Sequence, residues 1–419
     1  GQAARRVLAL IEAAPLLPFT AGLAMEEDAF DSAQGSSEAK ALRHVFLSER
    51  RAARCEAKDQ KPVEIPDRLA IIGGGALALR IVVLALDHGF GVDWGLGSAD
   101  QRSAAMAKLD DVLSHAVASG RLSEPERAAR RSRVVAGEGM AVGLAARLVI
   151  VAERGHGPLL AKGAICVTAA PGAIDRVGLR FAPSAYGPRA VEVICGPRAA
   201  ASERSAARSL ARRFGLTPIV VNSAGPSVAA QLAEAVQRGA DGLIDQGADP
   251  YAVDAALAEW GWSLGPFQAR DRIGLASFSE AERAGGARNW SATLLRAGRR
   301  GRIAGRGFYR WTNTGPERDA GLLSVLDSVR PAQPIPAESI RRILVGAMAN
   351  EGLRILDAGM VPRASDLDVI AVLALGFPRD RGGPMRAASD IGLLAVKTAL
   401  ERLEHPDTGF WMPHPGWVP

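Results

Sequence analysis

The 419 residues include only three cysteines, Cys55, Cys166 and Cys195, far apart along the chain. Their odd number and wide spacing exclude a disulfide framework and a C-x-x-C metal pair, and fit a reducing compartment. The six histidines, at 44, 88, 115, 156, 405 and 414, never fall at H-x-x-x-H or H-E-x-x-H spacing, so no structural metal is expected. No run of 18 apolar residues occurs and no signal peptide is recognisable, so the expectation is a soluble cytoplasmic protein without a membrane span. No block of aromatics alternates with basic residues as a binder of single-stranded nucleic acid would need. The net charge of +6 comes mostly from Arg mixed with Asp and Glu along helix-like stretches such as 124–133. That mixture reads as solvated helix faces, and no nucleic-acid partner is expected.

What is present is ordinary for a globular protein, 48% apolar and 23% charged. The length suits two to four domains with sizeable cores. The organising stretch is Arg68-Leu-Ala-Ile-Ile-Gly-Gly-Gly-Ala-Leu-Ala-Leu79. Leu69 to Ile72 suit a buried parallel strand, three glycines follow, and Ala76 to Leu86 are good helix formers. Strand, glycine turn and helix open a dinucleotide-binding βαβ unit, with Gly73 for the tight turn and Gly75 for close approach of the pyrophosphate. Ala78 takes the third glycine's place. The anion would rest on the N–H groups that open the helix, which makes Gly73, Gly75, Ala76, Leu77 and Ala78 the candidate cofactor residues. A dinucleotide is the ligand this turn suggests.

The next strand, Val92 to Gly95, weakens that reading. An acid should follow the glycines by about 20 residues to hold the ribose hydroxyls, and the position falls on Leu96. Asp93 comes too early. Asp100, in the following loop, would serve only if the chain bends back. The missing acid also fits a 2′-phosphate with Arg102 as its partner, a weaker reading in a chain so rich in Arg.

Taken in order, residues 1–60 read as helices: Arg5 to Ala13, Met25 to Asp31, and a helix from Glu38 to about Lys58 capped by Ser36-Ser37. Ala41, Leu42, Val45 and Phe46 form a stripe read as core packing. A polar linker, 58–66, leads into an α/β domain over 67–221. A helical arm at Ser98–Ser119 and a return helix from Glu124 are followed by strands at Leu148–Ala152, Ala164–Thr168, Arg176–Phe181, Ala190–Cys195 and Thr217–Val221. A helix at Ser202–Phe214 precedes the last strand. A helical domain spans 222–312, with clear helices at Val228–Gly239 and Pro250–Glu259. Thr312 to Pro336 reads as a second linker. A second helical domain, 335–419, ends in a Pro- and Trp-rich tail expected to pack on the surface.

The order of these pieces resembles the L-3-hydroxyacyl-CoA dehydrogenase family, the dehydrogenase half of bacterial multifunctional fatty-acid oxidation proteins. Asp254–Phe267, Asp271–Leu275 and Gly305–Tyr309 look like the family's first helical repeat. Asn350–Leu356, Ala364–Val369 and Gly376–Met385 look like the second, degenerate one. Ala41–Arg50 is similar to the last helices of the enoyl-CoA hydratase half, whose body this sequence does not contain. The resemblance implies a Rossmann-like α/β domain followed by two mainly helical C-terminal repeats, behind an N-terminal helical segment. It implies NAD and acyl-CoA as ligands, and a homodimer or a partner chain of a fatty-acid oxidation complex. The family reaction passes hydride from the 3-carbon of a 3-hydroxyacyl-CoA to NAD. A His is the base, a Glu orients it, and Ser and Asn bond the substrate oxygens, because the base needs a pKa near working pH and a fixed tautomer.

Each of those positions differs here. Arg180 stands at the His position, Val151 at the Glu position, Thr168-Ala-Ala-Pro171 at the Ser-bearing loop and Ala229 at the Asn position. Glu153 would share the face of Val151 if its strand continues. The intervals 152–164 and 168–177 leave room for short loops where the family has helices. The expected protein is a catalytically silent family member acting by binding or assembly. The alternative is an active NAD-dependent dehydrogenase with a site rebuilt around His156 or Glu153. His156 reads as a solvent-exposed loop residue, and His44 and His88 as surface or interface residues. A third reading is an assembly subunit whose residues 1–60 dock on a hydratase-like or thiolase-like chain.

Overall fold

The computed structural model describes residues 2–53, 63–153, 160–170, 172, 174–181, 189–222, 227–279, 286–326 and 332–417. Three helices lead: α1 (Gln2–Ala13), α2 (Phe19–Gly35) and α3 (Ser37–Ala53). An α/β layer follows with β1 (Arg68–Ile72), α4 (Ala76–Asp87), β2 (Gly91–Leu96), α5 (Ala99–Ala118), α6 (Glu124–Ser132), β3 (Val134–Glu138), α7 (Gly139–Ala145) and β4 (Leu148–Val151). It continues through β5 (Ile165–Thr168), β6 (Val177–Arg180), β7 (Ala190–Cys195), α8 (Ala201–Arg213) and β8 (Thr217–Val221). The eight strands form one sheet in the order β3-β2-β1-β4-β5-β6-β7-β8. Every pairing is parallel except β6 with β7. Runs such as Leu69-Ala-Ile-Ile72 suit a sheet covered on both faces, and all four residues are buried. Ala78, Ile81, Val82 and Ala85 recur at helical spacing and seat α4 on the sheet. Ser98 and Ser123 start α5 and α6 with capping boxes closed by Gln101 and Glu126.

The remainder is helical. It comprises α9 (Val228–Asp245), α10 (Pro250–Trp260), α11 (Pro266–Ile273), α12 (Ala276–Ser279) and α13 (Trp290–Arg296), then a hairpin of β9 (Arg310–Thr312) and β10 (Gly315–Glu317). After it come α14 (Leu322–Leu326), α15 (Ala337–Asp357), α16 (Ala364–Ala374), α17 (Pro384–Ile391), α18 (Leu393–Glu401) and α19 (Thr408–Trp411). A single apolar core runs through these helices and gathers Trp262, Trp290, Phe308, Trp411 and Trp417.

One device occurs twice here. Asp254 on α10 accepts from the N–H groups of Phe267 (3.1 Å) and Gln268 (2.9 Å), and so caps α11. Asp368 on α16 accepts from Met385 N (2.8 Å) and Arg386 N (3.4 Å), and so caps α17. The turns pass so close that a methyl at Gly265 or Gly383 would collide with the aspartate. In the first copy the Tyr309 hydroxyl adds a third bond (2.9 Å) to Asp254. In the second, His44 Nε2 lies 2.8 Å from Asp368, reaching in from α3.

Several expectations are corrected. β3 was not anticipated, because only Val134-Val135 favour a strand before Gly137; pairing with β2 makes it one. Asp100 lies in the first turn of α5 instead of a loop. Thr312–Pro336 is no simple linker: Asp319 is buried and paired with Arg299 (2.7 Å) and Arg306 (2.6 Å), so the charge that suggested solvent is spent internally. The tail is not a surface strap. Phe410, Trp411 and Trp417 are buried, and Asn350 Oδ1 accepts from His414 N (2.7 Å) and Trp417 Nε1 (2.8 Å). In the α3 stripe Ala41 and Val45 are buried, joined by Ser48 and Ala52, while Leu42 and Phe46 are exposed. The expected end of that helix near Lys58 lies outside the described residues. His44 is engaged within the chain, and His88 closes α4 with its ring tilted against Phe214. Among the described residues no helix is long and apolar enough to cross a membrane, and no cluster of three metal-ligating side chains occurs.

Candidate functional site

Two regions hold the candidate residues, one at the carboxyl ends of β1 and β4 and the other at the carboxyl end of β6 beside the antiparallel β7. The first is the crevice between β1 and β4, where the strand order reverses and where open α/β sheets take ligands. Gly73 has φ +128°, a conformation that L side chains rarely adopt, so the turn there requires glycine. Its N–H donates to Gly95 O at 3.0 Å, and its carbonyl accepts from the buried Trp94 indole at 2.7 Å. Gly75 precedes α4, and a Cβ built on it would meet nothing within 4 Å. Ala76 and Leu77 open the helix, and Ala78 is buried against the sheet, where a larger side chain would push the helix away.

Around this turn the polar groups are already committed. Glu153 Oε2 accepts from Gly74 N at 2.9 Å. β4 ends at Val151, so the continuation that would place Glu153 on the face of Val151 does not occur. Val151 itself is buried among Ile72, Val149 and Ala70. Leu96 ends β2 with its side chain buried beside Gly74. Asp93 is bonded by Arg68 through Nε (2.9 Å) and Nη2 (2.6 Å). Arg102, on α5, turns back to Gly97 O at 3.3 Å.

The second region lies where β6, β7 and α9 meet. Arg180 ends β6 and pairs in antiparallel register with Glu192 on β7. Glu192 is buried and turned to the start of α9. Its carboxylate accepts from Ser227 Oγ (2.8 Å), Val228 N (3.2 Å) and Ala229 N (2.6 Å). Burial pushes the Glu192 carboxyl above its ordinary value, opposed by those three donors and by the Arg180 charge. The Arg180 guanidinium donates to Gly172 O. Thr168 ends β5, paired with Gly178 on β6, and the N–H groups of Ala169 and Ala170 turn back to Val151 O at 2.7 and 3.1 Å. His156 and Pro171 lie outside the described residues.

The fold therefore brings Arg180, Ala229 and Glu192 together. Glu192 was missed in the sequence, where Ala190-Val-Glu-Val-Ile-Cys195 reads as an alternating strand and little more. The signal was the lone acid in that apolar run: a charge at a sheet's centre needs partners, and here they are a helix N-terminus and a guanidinium.

The architecture is that of a dinucleotide-fold domain joined to paired helical repeats. The family model described as "3-hydroxyacyl-CoA dehydrogenase, C-terminal domain" matches residues 228–311. The peroxisomal bifunctional enzyme of Danio rerio is 30% identical over 268 residues, 57% of this chain and 37% of that relative. This chain thus spans little more than a third of that relative's length. Two solved structures share the fold. One is the dehydrogenase part of multifunctional enzyme 1 from C. elegans (TM-score 0.68, 17% identity, covering 89% of this chain and 96% of that one). The other is 3-hydroxybutyryl-CoA dehydrogenase from Escherichia coli K12 (TM-score 0.63, 19% identity, covering 85% and 98%). Residues 228–311 thus match the C-terminal domain of 3-hydroxyacyl-CoA dehydrogenases, and the chain as a whole is similar to proteins of that family in sequence and fold.

Proposed function

We propose that this chain is a non-catalytic member of its family, binding an acyl-CoA-type ligand within a fatty-acid oxidation assembly. The observation that carries the reading is Arg180 opposite Glu192. A guanidinium stays protonated and accepts no proton, so it cannot serve as the base for a 3-hydroxyl. The carboxylate of Glu192 beside it is bonded to Ser227 and to the N–H groups of α9. Ala229 offers a methyl where an amide would hold a substrate oxygen. Groups that act as a unit lose several orders of magnitude in rate when members are removed.

A cavity of about 280 Å³ begins one residue further along α9 and supports ligand binding. Ala230, Ala233, Leu257, Trp262 and Phe278 line it together with Glu234 and Gln237, a largely apolar setting that suits an acyl tail. Assembly is supported by α1 and α2, whose Val7, Leu8, Ile11, Phe19 and Phe30 are exposed. The partner this face fits is a hydratase-type domain, since α3 continues from it with the hydratase-like segment Ala41–Arg50 and the zebrafish relative is named a bifunctional enzyme.

Purified chain mixed with acetoacetyl-CoA and NADH is expected to leave the nicotinamide absorbance unchanged, while calorimetry detects tighter binding of octanoyl-CoA than of acetyl-CoA. Consumption of NADH at an ordinary enzymatic rate would refute the silent reading. Absence of any preference for the longer chain would remove the cavity from it.

A further inference from the structure

We infer that Glu153 is a built-in occupant of the diphosphate cradle, so that this chain holds off the dinucleotide its fold would otherwise take. The cradle is formed by the glycine turn after β1 and the first N–H groups of α4, which point a partial positive charge at an incoming anion. Here a carboxylate is already seated there, with Glu153 Oε2 2.9 Å from Gly74 N. The seat is close-fitting: a Cβ built on Gly73 would lie 2.9 Å from the Glu153 Cβ and 3.3 Å from its backbone nitrogen. The side chain belongs to this chain and arrives from the end of β4, the other wall of the switch-point crevice. A diphosphate would have to take the Gly74 N–H from Glu153 and then lie beside a charge of its own sign.

The ribose end offers no compensation. Leu96 closes the end of β2 with a buried apolar side chain, and Asp93, the acid on that strand, is held by Arg68. The residues present thus do not fit NAD, although the open ground over Gly75 shows that the turn itself has the room. A turn that keeps its glycines and fills its anion seat with a side chain behaves as a plugged site, and a plug can be drawn.

The test is calorimetry on the full chain and on Glu153→Ala, Glu153→Gln and Glu153→Asp, titrated separately with NADH and with inorganic pyrophosphate. Melting curves check that each variant folds. Glu153→Ala and Glu153→Gln are expected to bind both probes at least tenfold more tightly than the unaltered chain, while Glu153→Asp, which keeps the charge, stays near it. Equal affinity across the series, whether tight or below detection, would overturn the inference. This inference does not rest on the silent reading, and the two fail separately. A Glu153→Ala chain that binds NADH without consuming it in the presence of acetoacetyl-CoA agrees with both. One that consumes it keeps the plug and sinks the silent reading.

Discussion

Glu192 gives three donors at the start of α9 their acceptor from the middle of a sheet, and this makes charge and shape separable by substitution. Glu192→Ala strands buried N–H groups, each costing about 1–3 kcal/mol. The expected loss is several kcal/mol in urea unfolding, with α9 exchanging its amide hydrogens first. Glu192→Gln keeps one acceptor oxygen and should lose less. A loss below about 1 kcal/mol for Glu192→Ala would mean that water reaches those donors. Asp254 tests burial through pH. Desolvation lifts its carboxyl from 3.8 to about 7, against the pull of Phe267 N, Gln268 N, the Tyr309 hydroxyl and the Arg270 charge. The folded state then binds the proton more tightly than the unfolded one. The stabilisation is full below about pH 4 and is lost as pH rises through 7. The stability of the unaltered chain minus that of Asp254→Asn should therefore shrink between pH 4 and 7, and a difference independent of pH would contradict the raised value.

Among the elements, α3 shows how a helix is held when its apolar stripe is only half used. Ala41, Val45 and Ala52 are buried, and the rest of the grip is polar: His44 with Asp368 at 2.8 Å, and Glu49 with Arg379 at 2.5 and 2.8 Å. Asp368 is buried, so His44→Ala leaves a carboxylate short of a partner. That costs more than losing an exposed pair worth about 0–1 kcal/mol. His44→Ala should speed hydrogen exchange across 37–53 by tenfold or more while the exchange of β1 and β4 stays unchanged. Uniform acceleration over the whole chain would show that α3 is no separate unit. Sequence periodicity identified this helix, but it assigned Leu42 and Phe46 to the core. A four-residue stripe carries no information on how far round a helix its neighbours reach. β3 was missed for the converse reason: two valines ahead of a glycine become a strand only beside a β2 that offers its edge.

Across the molecule, apolar surface is unevenly placed. α2 has no buried residue, and Phe19 is 84% exposed. The helical core, by contrast, is continuous from Ala52 to Trp417. A chain lacking residues 1–35 should therefore melt within a few degrees of the full chain and bind less of an apolar dye. A fall of more than about 5 °C, roughly 4 kcal/mol for a chain this size, would show that α1 and α2 support the fold. Apolar faces of this extent usually mark an interaction surface.

Much of the chain's organisation follows from residue order alone. The run Leu69–Ile72 with its glycine turn, the apolar strands from Leu148 to Val221, and the long helices at 228 and 337 are local signals. Hydrophobic period and backbone sterics act within a few residues, and a sequence displays them directly. The identity of Arg180 and Ala229 was equally plain. The partnerships were not. That Glu192 reaches α9, that Glu153 turns to the glycines instead of prolonging β4, and that His44 completes the cap of a helix more than three hundred residues away depend on which elements pack together. Long-range hydrogen bonds carry no periodic trace, because their geometry is fixed only after the core has closed.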